Sequence, residues 1–305
     1  MKTTRLRRCE LSVPGSSERM LAKAASIEVD HLFIDLEDAV APNRKNLARA
    51  NAVAAIRNTT FRAPTVAVRI NDLTTPWALD DITELIEGCG NRLDVIVVPK
   101  VLGPQDVLFV ERLLAMLEMR HRITRPIGLE VLIEEIQALD KVEQIAAASP
   151  RLEALIFGMG DYARSQGMPV SDVGETDDYP GDLYHYHRNR VVIAARLNGL
   201  DAIDGPYADF RNPQKYRDEA RRAAILGFTG KWAIHPSQIA TAEEVFTPEP
   251  GRVAKARAMA AAYAEALERG EGAISFEGKM IDVASVKAVE EMIAIADRID
   301  GRSGG

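Results

Sequence analysis

The sequence predicts a (β/α)8 barrel, the TIM barrel, followed by a short C-terminal appendage. Eight apolar runs recur along the chain, and their starts are mostly about 30 residues apart, the length of one βα unit. Helical periodicity fills the intervals, and Gly or Pro stands at most boundaries. A doubly wound sheet is the alternative, but VPGSS after the first run is only a weak match to the Gly-rich phosphate turn of such sheets.

Each run has the length and apolar content of a buried parallel strand. The predicted strands are CELSV (9–13), HLFIDL (31–36), TVAVRI (65–70), DVIVVP (94–99), IGLEVLI (127–133), EALIFG (153–158), LDAID (200–204) and KWAIH (231–235). Almost every strand is closed by a polar or turn residue, namely Ser16, Asp35, Arg69, Lys100, Glu134, Asp161, Asp204 and His235. Because the carboxyl ends of barrel strands share one face, we expect these side chains to lie together.

The barrel is complete by about residue 246, so we predict a catalytic domain over 1–246 and a helical and hairpin appendage over 247–305. The appendage contains a helix that stops at Gly270, a hairpin that turns at Glu277 and Gly278, and a last helix. The interval between strands six and seven is long, and its segment 162–188 is a candidate lid or interface.

Composition is that of an ordinary globular protein, with 47% hydrophobic and 27% charged residues. The net charge of −7 argues against a nucleic-acid surface. Cys9 and Cys89 lack metal-ligand spacing and favour a reduced compartment. The chain has neither a run of 18 apolar residues nor an apolar segment after its basic start. We therefore expect no membrane contact and, by default, a cytoplasmic location.

Glu134 and Asp161 are the candidate metal ligands. Each follows an apolar run, so the two carboxylates meet at the mouth of the barrel and offer the hard oxygens that suit Mg²⁺. Either acid could instead be a surface residue or a helix cap, and the residues alone leave both readings open. Glu130 lies on the same strand face as Glu134 and is a candidate outer acid.

Arg69 is a charge on an otherwise apolar strand and therefore needs an anionic partner. That partner is the carboxylate of a ligand or a structural acid, Asp35 or Glu37. The acids of the DLED cluster, which also includes Asp38, need a nearby cation such as Lys100, unless Asp38 caps a helix.

Nine motifs in order resemble the malyl-CoA and β-methylmalyl-CoA lyases of the citrate lyase β-subunit-like (CitE-like, HpcH/HpaI aldolase) superfamily, from about Arg8 to Asp282. The motifs are CELSVPGSSERM, FIDLEDAVAP, VAVRIND, VVPKV, LIEE, FGMGDYA, AIDGPYADF, GKWAIHPSQI and FEGKMID. The resemblance implies a TIM-barrel lyase that uses Mg²⁺, or Mn²⁺ in its place, and assembles as a homotrimer or hexamer. Its substrates would be an acyl-CoA, which carries coenzyme A, and a 2-oxo acid such as glyoxylate.

The resemblance also assigns roles. It implies that Glu134 and Asp161 bind the metal and that Arg69 holds the carboxylate of the 2-oxo acid. Asp282 would enter a neighbouring subunit's site as the acid/base at the acyl-CoA α-carbon, although the residues alone make it a helix N-cap. One departure bears on the substrate: where many relatives read ETARG, this chain has Gln137 in place of the Arg.

The remaining predictions concern the substrate. We predict that Arg8, Gly160, Asp161 and Pro206 contact it, and that the basic residues bind the phosphates of coenzyme A. These basic residues are Arg19, Lys23 and Lys45, with Arg44 and Arg49 as further candidates. His235 is interpreted as structural, and His185 and His187 as part of the lid. Three alternatives stay open, a citramalyl-CoA lyase, a malyl-CoA thioesterase and the β subunit of a citrate lyase complex.

Overall fold

The structure, a computed structural model, describes residues 5–170 and 181–303. Eight parallel strands pair in chain order, and the last pairs with the first, so the sheet closes into a barrel. The strands are β1 (Cys9–Pro14), β2 (His31–Asp35), β3 (Thr65–Arg69), β4 (Val95–Val98), β5 (Gly128–Ile133), β6 (Leu152–Phe157), β7 (Asp201–Asp204) and β8 (Gly230–Ala233). The predicted TIM barrel is confirmed.

Helices follow the strands and cover the outside of the barrel. They are α1 (Glu18–Ala24), α2 (Lys45–Asn58), α3 (Ala78–Cys89), α4 (Pro104–His121), α5 (Ile136–Asp140), α6 (Val142–Ala146), α7 (Met159–Gln166), α8 (His185–Leu197), α9 (Pro213–Leu226) and α10 (Ile239–Phe246). None of the helices in the described ranges is long and apolar enough to cross a membrane. Residues 171–180, which belong to the predicted lid, lie outside the described residues.

The inside of the barrel is filled by alternate residues of the strands. A layer of buried apolar side chains crosses its middle, including Phe33 on β2, Leu132 on β5 and Trp232 on β8. The rings of Phe33 and Trp232 meet edge to face, with their centroids 5.0 Å apart. Because side chains alternate along a strand, the residues two positions after this layer also point into the barrel, nearer to its carboxyl end. Asp35 and Glu134 are such residues.

Parallel register brings the polar strand ends together. Asp35 at the end of β2 is level with Arg69 at the end of β3, and Ile133 of β5 is level with Phe157 of β6. Their successors, Glu134 and Gly158, therefore face each other at the next step. The mouth of the barrel takes its residues from several neighbouring strands.

The chain divides after Glu244 into two compact units. The second contains α11 (Pro250–Glu268), the antiparallel strands β9 (Ala273–Phe276) and β10 (Lys279–Asp282), and α12 (Val283–Ser303). The hairpin turns where predicted, since Glu277 and Gly278 have φ of 48° and 77°. Two successive residues with positive φ are typical of a type I′ hairpin turn, and Gly adopts this conformation without strain.

We predict that Gly230→Ala strongly destabilises the barrel, because a Cβ on Gly230 would lie 1.7 Å from the carbonyl oxygen of Arg7. Overpacking of this kind costs about 1–3 kcal/mol or more. Urea unfolding followed by circular dichroism would measure the loss. Gly103→Ala is the control, since its new methyl would meet only the flexible end of Gln105. Equal stability of the two variants would contradict this account of the β1–β8 closure.

Candidate active site

A cavity of about 410 Å³ opens at the carboxyl ends of the strands. It is lined by Ser12, Pro14, Met20, Asp35, Asp38, Ala39, Arg69, Glu134, Gly158, Gly160, Asp161, Pro206, Trp232 and Ile234. These residues come from or follow seven of the eight strands, all except β4. The cavity has the position where the active sites of TIM barrels lie, and an apolar wall beside a few charged groups is typical of a small-molecule site.

Arg69 is buried and held in a fixed orientation. Its Nε donates to Asp35 Oδ1 at 2.8 Å and its Nη2 to Asp35 Oδ2 at 2.7 Å. Its Nη1 lies 3.0 Å from Glu37 Oε2, and the guanidinium carbon lies 5.0 Å from the ring centroid of Trp232. The carboxylates of Asp35 and Glu37 keep the pKa of Arg69 above its ordinary value against the effect of burial. The structural ion pair that the sequence left open is therefore present.

Glu134 is a buried carboxylate, with only 2% of its surface exposed. Its Oε1 accepts a hydrogen bond from the backbone N–H of Lys100 at 2.8 Å. Burial raises its pKa to about 8, Arg69 acts in the opposite direction, and the carboxylates of Glu37 and Asp161 add to the rise. A carboxylate in such surroundings at neutral pH is stabilised by a cation.

Asp161 lies in the first turn of α7 and completes the pair of acids. It is partly exposed, with Lys100 Nζ 3.8 Å from one carboxylate oxygen and Arg164 Nη2 3.1 Å from the other. Gly158, just before this helix, leaves room for the acid opposite, because a Cβ there would lie 2.5 Å from Glu134 Oε2. Two hard carboxylates beside bare backbone are a donor set that fits a Mg²⁺ ion completed by water and substrate.

Lys100 links the acids of the mouth. Its ammonium pairs with Glu37 and lies 3.1 Å from Asp38 Oδ1 and 3.8 Å from Asp161 Oδ2. Its backbone has φ of 49°, a left-handed conformation that a Lys rarely adopts. From the sequence Lys100 is only one of several polar strand ends, because neither its φ nor its several partners can be read from the order of residues.

Two residues predicted to contact the substrate or its coenzyme A lie where they cannot do so. Arg8 lies at the other end of the barrel, just before β1, where its Nε donates to Asp30 Oδ2 at 2.7 Å. Lys45 is buried, and its Nζ donates to the carbonyl oxygens of Leu36 and Glu37 at 2.9 and 2.7 Å. It supports the loop after β2 and is not available to the phosphates of coenzyme A, which corrects its predicted role.

Arg19 and Lys23 are exposed on α1, which follows β1 at the cavity end, and their contact with coenzyme A stays a prediction. Gly160 and Pro206 line the cavity, as does Asp161. The predicted contact of all three with substrate is compatible with this placement and is otherwise untested.

Asp204 does not face the cavity with the other strand ends, because Ile203 occupies the interior position on β7. The Asp204 side chain lies between the sheet and the helices, where it accepts hydrogen bonds from Arg188 Nε at 2.8 Å and Lys231 Nζ at 2.6 Å. His235 stacks on Phe210 and caps the following turn by accepting the N–H of Ser237. Both positions end a strand, but neither side chain enters the cavity.

Glu130 shares the interior face with Glu134, as alternation requires, but lies two residues deeper than Leu132 and binds Arg7 Nε at 2.7 Å. It is therefore not an outer acid of the predicted metal pair. His187 is packed among aromatic rings and its Nε2 lies 3.0 Å from Gln166 Oε1.

Asp282, in the second unit, caps α12. Its Oδ1 accepts hydrogen bonds from the N–H and hydroxyl of Ser285, each at 3.0 Å, and these lower its pKa. The side chain is exposed, and its predicted role in a neighbouring subunit is untested.

The chain resembles known proteins over most of its length. Residues 8–236 match the sequence model of the HpcH/HpaI aldolase/citrate lyase family. The L-malyl-CoA/beta-methylmalyl-CoA lyase of Cereibacter sphaeroides is 41% identical over 302 residues, covering 96% of this chain and 95% of that protein. The malyl-CoA/beta-methylmalyl-CoA/citramalyl-CoA lyase of Chloroflexus aurantiacus is 36% identical, covering 94% and 86%.

Among solved structures, CitE from Mycobacterium tuberculosis in complex with magnesium, acetoacetate and coenzyme A is 27% identical. The match has a TM-score of 0.73 and covers 95% of this chain and 97% of that one.

We predict that Glu134→Gln stabilises the metal-free protein increasingly as the pH rises. The raised pKa means that protonated Glu134 stabilises the fold fully below about 4.5 and that this contribution is lost as the pH rises through about 8. The variant has no such loss, so its advantage should grow over this window to about 1–3 kcal/mol, the usual cost of a poorly paired buried group. Urea unfolding in chelator at several pH values would measure it. A difference independent of pH would contradict the assignment.

Proposed function

Because this chain belongs to the HpcH/HpaI aldolase/citrate lyase family, we propose that it is a Mg²⁺-dependent carbon–carbon lyase acting on a 3-hydroxyacyl-CoA. Malyl-CoA and β-methylmalyl-CoA are the substrates we assign, with an acyl-CoA and glyoxylate as products. The observation that carries this proposal is the fixed guanidinium of Arg69 in one cavity with the carboxylates of Glu134 and Asp161.

Arg69 would bind the carboxylate of the substrate. Its Nε and Nη2 are used by Asp35, whereas Nη1 lies beside Glu37 and the exposed Asp38 at the cavity. A substrate carboxylate would share this outer edge of the guanidinium, and the pair with Asp35 would keep the planar group aimed at it.

Glu134 and Asp161 would hold the Mg²⁺ ion, for which Mn²⁺ could substitute. When bound, the metal supplies Lewis-acid stabilisation of the negative charge that develops on the substrate oxygen. The two protein carboxylates leave the other coordination positions to water and substrate. Lys100, which contacts Glu134 through its backbone and Asp161 through its ammonium, would keep the two acids in place.

In the cleavage direction the substrate hydroxyl would pass its proton to water in the open cavity and become the carbonyl of the 2-oxo acid. The C–C bond breaks, and its electron pair passes to the acyl-CoA as an enolate. We assign the return of a proton at the α-carbon to Asp282 of a neighbouring subunit, within a homotrimer or hexamer, as the resemblance implies. The exposed carboxylate at the end of the hairpin supports this assignment, since nothing in the described residues of its own chain covers it. Closure of a site around it would raise its pKa by desolvation and make it a better proton donor.

Citramalyl-CoA, which would give pyruvate, is the second candidate substrate. It is favoured by the name of the Chloroflexus aurantiacus relative, which includes citramalyl-CoA beside malyl-CoA.

We predict that the purified protein releases glyoxylate from racemic malyl-CoA only when Mg²⁺ is present, which trapping with phenylhydrazine would measure. Asp282→Asn should abolish most of this release, since Asn keeps the helix cap but cannot transfer the proton. Glu290→Gln, another exposed acid on α12, is the matched control and should retain activity. Release of free thiol without glyoxylate would indicate a thioesterase, and pyruvate from citramalyl-CoA alone would reassign the substrate.

We predict that Arg69→Lys lowers kcat/KM by about 10²-fold or more, mainly through a higher KM, because a buried charge pair loses 2–5 kcal/mol or more when one partner is truncated. Lys keeps the charge but cannot bond Asp35 and the substrate with one planar group. The control is Arg49→Lys. Arg49 is buried, pairs with Asp81 and does not line the cavity, so it is not available to the phosphates of coenzyme A, which corrects its predicted role. Steady-state kinetics would measure both. An unchanged KM in Arg69→Lys would contradict the proposed contact.

A further inference from the structure

The amino end of the barrel interior contains a second cluster of ligand-type side chains. Glu10 on β1, His31 on β2 and Glu130 on β5 are all 0% exposed. Glu10 and His31 are level with each other in the β1–β2 register. Phe33 and Leu132, two residues further along β2 and β5, belong to the apolar layer that crosses the barrel. The three polar side chains therefore project into the interior on the far side of that layer from the cavity.

The ligand atoms of this triad lie close enough to surround one ion. His31 Nδ1 is 3.2 Å from Glu10 Oε1 and 3.6 Å from Glu130 Oε1. One ligand atom from each residue falls within 4.8 Å of the others. Donors bonded at about 2.0–2.2 Å to a common ion in tetrahedral geometry are separated by distances of this order.

The triad also contains polar atoms that the described residues do not satisfy. Both carboxylate oxygens of Glu10, both ring nitrogens of His31 and Oε2 of Glu130 have no hydrogen-bond partner there. A buried ionised carboxylate without a donor or a cation costs several kcal/mol. His31 Nδ1 and Glu10 Oε1 are two of these atoms and lie close to Glu130 Oε1, so the site offers nitrogen and oxygen donors to one ligand.

The charges around the triad favour a divalent cation over a proton. Arg7 contacts Glu10, Glu130, Glu153 and Asp201, so its single charge is already shared. Arg5 pairs with Glu153 and Asp94, and Arg125 pairs with Asp94. The network thus holds five carboxylates and three guanidinium groups, and two negative charges remain when His31 is neutral. A proton on His31 compensates one of them, and a divalent ion compensates both.

We propose that Glu10, His31 and Glu130 bind one divalent first-row transition-metal ion inside the amino end of the barrel. An imidazole nitrogen with two carboxylates suits ions such as Zn²⁺ or Mn²⁺, whereas Mg²⁺ prefers oxygen ligands alone. Glu130 and Glu134 are separated by four residues of one strand, about 13 Å. The ion is therefore distinct from the one at the cavity. Its ligands have no exposed surface, so it exchanges slowly and acts by joining β1, β2 and β5.

The test is the metal content of the full-length protein, purified from medium supplemented with Zn²⁺ and Mn²⁺ and dialysed against chelator. We expect about one tightly held equivalent per chain, as for structural zinc sites. A double variant, Glu134→Gln with Asp161→Asn, should keep it, because the cavity ligands are not involved. Glu10→Gln should lose it, since this change removes a ligand and leaves the Arg7–Glu130 pair intact. Glu219→Gln, which changes another buried acid, one that pairs with Lys231, is the matched control and should retain the metal.

Anomalous scattering from crystals of the wild-type protein places the ion without any variant, so the proposal does not depend on the folding of Glu10→Gln. A peak between the three side chains supports it. Wild-type protein that holds no transition metal after dialysis, or a peak only at the cavity, overturns it and leaves His31 as an imidazolium between two carboxylates. Neither result depends on lyase activity, so this proposal and the proposed function stand or fall separately.

Discussion

The bidentate pair between Arg69 and Asp35 is the interaction on which the mouth of the barrel depends. Because β2 and β3 are in parallel register, the two residues end adjacent strands at the same level and meet without any loop between them. Asp35 also accepts the backbone N–H groups of Glu37 and Ala39, so the same carboxylate fixes the turn that presents Glu37 and Asp38. One buried acid thus orients the guanidinium and the acidic loop around it. A strand end can hold a charge in this way because neighbouring strands supply its counter-charge at a fixed distance.

Burial makes the ionised form of the remaining acids of the mouth less favourable. Burial raises the pKa of Glu37 to about 7 and that of Glu134 to about 8 although Arg69 and Lys100 lower both, so neither carboxylate is fully ionised near neutral pH. Lys100 and Arg69 supply positive charge at the rim, and both touch the same acids. Under the proposed function, a divalent ion and an anionic substrate would therefore enter together most favourably, since each would balance the charge of the other. This balance explains why an electrophilic site can be assembled from so many carboxylates.

The sequence was sufficient for the barrel and for most of the mouth, because both depend on periodicity and on the rule that parallel strands end on one face. It was not sufficient where the role of a residue depends on the direction of its side chain or on its backbone conformation. Asp204 ends a strand like Asp35, but an interior Ile203 turns it outward. Lys45 has the positive charge of a phosphate-binding residue, but it is buried and its ammonium donates to two carbonyl oxygens. The positive φ of Lys100 leaves no signature in the order of residues. Glu10, His31 and Glu130 lie far apart in the chain, and only the closure of the sheet into a barrel brings their side chains together.

The two ends of the barrel show the same constraint with different outcomes. A charged side chain buried at a strand end needs a counter-charge, and the apolar layer of Phe33, Leu132 and Trp232 separates one end of the barrel from the other. At the carboxyl end the layer borders an open cavity, so ligands that enter the cavity can supply the counter-charge. At the amino end Arg7 and its carboxylate partners close the interior, so any counter-charge must be resident. Under the two proposals, a single layer of apolar side chains would separate a binding site from a stabilising one, and a change in that layer would affect both ends at once.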